Sequence, residues 1–241
     1  MLGFPLTALQ AKTASEYAVD AKDYALAPLH WNTSQWEYAA GAVAAIAATY
    51  SVDNRGRERF VGDAPAAGDP HQWRDAAPAA ALTLATLAFG KLFNDSAATR
   101  TGYDMIEAIA LGGISSTLLK KVGGRARPNA TSDRTAWRSN GESFPSGHTT
   151  AAFAAAQVFA DRAPPGQWGW SALAYGLAVA TACARLDGNV HWTSDVVAGA
   201  ALGIATGRFV TNRDVDSKSR ISLSIQPTDG GAMLTFGVKL N

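Results

Sequence analysis

The run PSGHTTAAFAAAQVFAD, residues 145–161, decides the reading of this chain. It leaves a long polar stretch at Pro145, turns alanine-rich after Gly147, and stops at Asp161-Arg162, the signature of a helix of about four turns. Ser-Gly-His therefore opens a helix, where unpaired backbone N–H groups attract anions. Working outward, similar alanine-rich helical runs recur at 37–50, 77–93, 102–121, 168–185 and 193–211. Small residues in 77–93 and 102–121 are spaced for close packing. The expected fold class is all-α, a helical bundle core of about six helices.

Between the helices, 51–75 is polar and carries Arg55, Arg57, Glu58 and Arg59, which reads as a surface connection or entry loop. The stretch 123–144 is rich in Arg, Asn, Ser and Gly, and a structureless loop of that length inside a compact domain is usually functional. From Ile221 the pattern alternates, turns at 227–231 and continues to Leu240, a short C-terminal β-hairpin clasping the bundle. The expectation is one structural domain: 1–75 N-terminal helices and connecting loop, 76–212 the catalytic bundle, 213–241 the hairpin.

Composition narrows the function classes. The 241 residues hold 21 Lys plus Arg and 20 Asp plus Glu, a net charge of +1, which gives no support to nucleic-acid binding through bulk charge. With 47% hydrophobic and 17% charged residues the chain is not disordered. Cys183 is the single cysteine, so no intramolecular disulfide forms. A spanning helix wants about 20 apolar residues. The longest uncharged stretch of the second half, 166–184, contains Gln167, Ser171 and Thr181, and the other runs are shorter. These lengths, and a mean hydropathy of −0.03, fit buried helices better than free-standing spans. Residues 1–11 are apolar with no Lys or Arg ahead of them, which is not a complete signal peptide.

Three clusters carry chemistry. Lys120 ends a helix and Arg127 follows a Gly-Gly turn, so a compact charge and a planar fork can bend toward one phosphate. Taken alone, the pair is equally a set of cations complementing a helix C-terminus. Ser146, Gly147 and His148 offer a hydroxyl, a close backbone approach and an acid proton, or only an N-cap beside a solvent-facing histidine. Arg185 closes a helix, and His191 and Asp195, four apart, lie on one face. The carboxylate can then hold one ring nitrogen and leave the other as nucleophile. The bland alternative is a His–Asp pair supporting a cap. Together, three cations, two histidines, a carboxylate and a helix N-terminus are the parts of an in-line phosphoryl transfer.

The pattern Lys-x6-Arg-Pro, then Pro-Ser-Gly-His, then Arg-x5-His-x3-Asp resembles the type 2 phosphatidic acid phosphatase superfamily. One position departs from it: Ala184 stands where that family usually has Ser, which removes a hydroxyl from the phosphate shell. The resemblance implies metal-independent hydrolysis of phosphomonoesters or diphosphates, of lipids such as phosphatidic acid or an isoprenoid diphosphate, through a phosphohistidine. It implies that Lys120, Arg127, Ser146, Gly147 and Arg185 bind phosphate, that His191 attacks, that Asp195 orients it, and that His148 protonates the leaving alcohol. It further implies no metal and no cofactor, vanadate as inhibitor, a phosphorylated lipid or small-molecule substrate, no nucleic-acid partner, contact with a membrane surface, and a bacterial periplasmic location. The competing readings are a vanadium-dependent haloperoxidase and a non-catalytic anion-binding, membrane-associated protein.

Outside the motifs, His30 and His71 have no second ligand at metal-binding spacing. Trp168, Trp170, Phe153 and Phe159 read as packing residues or as a membrane-facing belt. Trp192, beside His191, is a candidate for the pocket mouth. Asp133, Arg134, Trp137 and Arg138 are expected to shape the substrate entrance.

Overall fold

A computed structural model describes residues 12–61, 72–217, 221–228 and 231–238. Every element up to residue 217 is helical, in line with the all-α expectation. The helices are α1 (Ala14–Leu26), α2 (Thr33–Ser51), α3 (Asp53–Val61), α4 (Gln72–Leu92), α5 (Ser96–Gly123), α6 (Gly147–Arg162), α7 (Trp168–Asp187) and α8 (Thr193–Ser217), with a 3₁₀ turn at Ala27–His30. The hairpin expected within 213–241 falls on residues whose side chains, from 214 onward, lie outside the described ones.

In the N-terminal part, one helix falls among the expected N-terminal helices and another replaces an expected connection. The alanine-and-charge mixture before residue 30 forms α1, started by a capping box between Thr13 and Glu16. The polar run expected as a connection contains α3, nine residues that lie against α7 and α8. Its mean character is strongly polar, so no apolar stripe announces it in the sequence.

At the centre, α6 is enclosed by α5, α7 and α8, with its most extensive contact on α8. Glycine makes that approach close. At Gly199, Gly203 and Gly207, one per turn of α8, an added Cβ would stand 2.5 Å from the Ser146 carbonyl oxygen, 2.4 Å from the Thr150 carbonyl oxygen and 2.7 Å from Gln157 Cβ. Elsewhere around α6, Ala152, Ala154, Ala155, Ala156 and Val158 are buried in one cluster with Met105, Ala108 and Leu111 of α5, Ala174 and Ala178 of α7, and Val210 of α8. Small side chains on both sides let the backbones themselves pack, replacing area per residue with proximity. Buried threonines fit this core because Thr150 and Thr206 return their hydroxyl hydrogens to the carbonyls four residues back.

The outer surfaces depart from the expectation of buried helices. Large apolar side chains stand exposed on α4 (Leu84, Phe89, Leu92), on α5 (Ile114, Leu118, Val122) and on α7 (Trp168, Trp170, Leu173), with Val122 80% and Trp168 79% accessible. No helix among the described residues is long and apolar enough to cross a membrane.

Candidate active site

The three motif clusters come together at the N-terminal end of α6. Lys120 lies in the last turn of α5, which Gly124 closes in the left-handed region (φ 55°) with its N–H on the Lys120 carbonyl. That turn sends the chain back toward Arg127. Ser146 is the N-cap of α6, and its N–H donates to the Asp195 carbonyl at 2.9 Å, joining the second cluster to the third. Gly147 faces α5, since a Cβ there would lie 3.4 Å from Ser116 Oγ and 3.8 Å from Lys120 Cε. Arg185 is buried in the final turn of α7, and its carbonyl accepts the Val190 N–H at 3.3 Å, just before His191. His191 itself precedes α8, while Asp195 lies in the first turn.

Electrostatics gives the same grouping. Burial lowers the His148 imidazole below 6.5, and the charges of Lys120 and Arg127 lower it further. Burial brings His191 down to about 4; Asp195 opposes this, and Lys120 and Arg127 reinforce it. The Lys120 ammonium is lowered to about 8, first by burial and then by Arg127, while Asp195 and Glu142 pull the other way. Two cations thus act on both histidines, and His191 is a neutral imidazole over most of the pH range.

Asp195 does not meet His191 in the manner expected. Its Oδ2 lies 3.7 Å from His191 Nδ1, longer than a hydrogen bond. The same oxygen accepts from Ser143 Oγ at 2.5 Å and from the Trp192 N–H at 2.8 Å, and Oδ1 accepts from Arg125 Nη1 at 2.6 Å. Burial would raise the Asp195 carboxyl, but His191, Arg125 and Ser143 outweigh it and the net value falls below that of an ordinary aspartate. It is a fixed anion beside Nδ1.

Several residues of this site carry no signal of their own in the sequence. Arg125, fully buried, sits inside the first motif but reads there as one more loop cation. Asp53, from α3, contacts residues about 140 positions away and has no motif to mark it. Ser116, four residues before Lys120, has a buried hydroxyl with no hydrogen-bond partner among the described residues, close to where Gly147 faces α5. Trp192 does not line a mouth: it is buried, donates from Nε1 to the Ala126 carbonyl at 3.0 Å, and stacks on Arg125. The loop after Arg127 is tied down as well. Arg134 reaches the Tyr50 carbonyl, and Trp137 packs between Tyr50 and Phe144. His30 is exposed, and His71 lies outside the described residues.

No cluster of three His, Cys, Asp or Glu among the described residues could hold a metal ion. A cleft of about 450 Å³ lined by Asp161, Arg162, Arg208, Thr211 and Asn212 lies at the other end of α6, about 24 Å of helix from Ser146, and contains none of the motif residues.

A lipid A 1-phosphatase of Porphyromonas gingivalis is 34% identical over 176 residues, 69% of this chain, and the chain spans 36% of that relative's length. Among solved structures, Aquifex aeolicus LpxE matches with TM-score 0.41 and 23% identity over 60% of this chain and 88% of its own. A PAP2 type phosphatidylglycerolphosphate phosphatase from Bacillus subtilis matches with TM-score 0.41 and 18% identity over 84% of this chain and 94% of its own. Residues 102–218, which hold every motif residue described above, match the PAP2 superfamily model.

Proposed function

We propose that this chain is a metal-independent lipid phosphatase that works through a phosphohistidine at His191. The observation that carries the proposal is the placement of Lys120 and Arg127 near both histidines, with His191 buried and neutral. A phosphate group drawn to that spot meets the two cations, the buried Arg185, and the Gly147 N–H at the start of α6. Asp195 faces Nδ1 of His191, leaving Nε2 to attack phosphorus. As the nitrogen–phosphorus bond forms, the bond to the leaving oxygen breaks, and His148 supplies the proton that the alcohol carries away. Water then attacks the phosphohistidine, its proton goes to His148, and phosphate leaves with His191 restored.

The substrate class follows from two supports. The curated relative is a lipid A 1-phosphatase, and Leu118, Leu119 and Val122 stand exposed on the last turns of α5, at the same end of the helix as Lys120. A lipid phosphate presented at a membrane surface suits such an apolar end better than a freely soluble ester. The same supports favour a periplasmic, membrane-associated location. The alternation from Ile221 to Leu240 and the antiparallel pairing of backbone 221–228 with 231–238 support a C-terminal hairpin as a finer feature of the fold. The test is release of inorganic phosphate in EDTA from phosphatidic acid, an isoprenoid diphosphate and p-nitrophenyl phosphate. Turnover without metal, fastest on a lipid and inhibited by vanadate, is expected. Metal dependence, or a preference for the soluble ester, overturns the corresponding part.

A further inference from the structure

Helix α3 lies outside the segment that matches the family, yet it places a carboxylate behind the nucleophile. Asp53, the first residue of α3, is fully buried. Its Oδ2 accepts from Arg125 Nη2 at 2.7 Å and from Ser194 Oγ at 2.7 Å, and its Oδ1 accepts the Ser194 N–H at 2.8 Å. That N–H is one of the unpaired donors in the first turn of α8, so Asp53 also serves as an anion at that helix N-terminus.

Arg125 links it to the reacting end. The guanidinium is fully buried, and its nitrogens reach the Arg134 carbonyl from Nε and Nη2, Ser194 Oγ and Asp195 from Nη1, and Asp53 from Nη2. Those contacts use the capacity of the planar fork, which has five N–H groups in fixed directions. The rings of Tyr50, Trp137 and Trp192 surround it at 5.0, 5.0 and 5.3 Å, so it has no room to turn. Charge counting shows what Asp53 adds. One guanidinium facing two carboxylates leaves a net negative charge in the buried cluster, beside the ring of His191. With Asp53 neutral, Arg125 would cancel Asp195 instead, and the positive charge that grows on His191 as its nitrogen bonds phosphorus would lose its counter-charge.

We propose that Asp53 is a positioning residue for the transfer: it engages Arg125, and so keeps Asp195 both aimed and charged toward His191. The proposal rests on the reading of His191 as the nucleophile. It makes the N-terminal helices part of the machinery, although Asp53 touches no substrate.

The test uses the full chain as wild type, D53N, D53E and H191A, with kcat, KM and the concentration of working sites titrated from the phospho-enzyme burst. D53N is expected to lower kcat per titrated site about 30-fold or more, with KM and the vanadate inhibition constant within about threefold of wild type. D53E, which restores the charge, is expected to recover part of that loss. Wild-type kcat per site in D53N overturns the proposal, as does an activity loss matched by an equal loss of titratable sites, which marks a residue needed only for folding. If D53N yields no folded protein, D53E decides: kcat per site lowered about threefold or more with intact KM supports the role, and an unchanged value overturns it. Failure of the underlying reading looks different, because wild type then forms no phospho-enzyme or H191A turns over as wild type does.

Discussion

His148 and His191 feel the same two cations but must start the reaction in opposite protonation states. His191 attacks as a neutral imidazole, so kcat/KM rises as pH climbs through about 4. His148 must carry a proton to give away, and its value is held below 6.5, so kcat/KM falls again above that lower value. The expected profile is a bell with its optimum on the acid side. Lys120→Met removes a positive neighbour that lowers both groups, so both limbs should move to higher pH even as the rate drops. A pH profile of the variant with limbs unmoved, or moved downward, would remove the shared-cation account. At this scale Lys120, Arg127, Ser146, Gly147, His148, Arg185, His191 and Asp195 stand out in the sequence as candidates because each sits in a short motif with a fixed spacing. Arg125, Asp53 and Ser143 do not. Their importance comes from contacts across 52 to 141 residues of chain, which local spacing does not encode.

Among the elements, α6 and α8 set the geometry, because their contact fixes Ser146 against Asp195. Gly203→Ala tests it with two opposing effects. Alanine favours an isolated helix by about 1 kcal/mol, but its Cβ would meet the Thr150 carbonyl oxygen of α6 at 2.4 Å. Backbone cannot yield as a side-chain tip can, so overpacking should win, with a net loss of about 1–3 kcal/mol in urea denaturation. A stabilised Gly203→Ala would show that the helices stand further apart. Arg125→Met probes the neighbouring ion cluster. It leaves the Asp53 and Asp195 carboxylates buried without their common partner, at an expected cost of about 3–5 kcal/mol. The helices from 77 onward were readable with ends within about six residues, since alanine runs ended by charges or glycines mark them. Helix α3 was hidden because it is polar nearly throughout: it is held by Asp53 and by Arg57 on Asn189, not by an apolar stripe.

Taken whole, the molecule has an alanine-built interior and unusually apolar outer faces on α4, α5 and α7. Hydropathy averaged over the chain hides this, because buried alanines and exposed Trp, Phe and Leu contribute to the same mean. The membrane-associated reading predicts that the protein sediments with vesicles containing phosphatidic acid, and that replacing both Leu118 and Val122, exposed at the Lys120 end of α5, with Ser weakens this several-fold without altering hydrolysis of p-nitrophenyl phosphate. Wild-type sedimentation of the double variant would move the contact to another face. The central claim is the covalent intermediate, and rapid quenching with ³²P-labelled p-nitrophenyl phosphate, whose leaving phenolate needs no proton from His148, tests it most directly. Wild type and His148→Ala should both yield an acid-labile, alkali-stable phospho-enzyme, accumulating in His148→Ala, and His191→Ala should yield none. Label of the same amount on His191→Ala, or turnover with no labelled protein in any variant, would contradict the account.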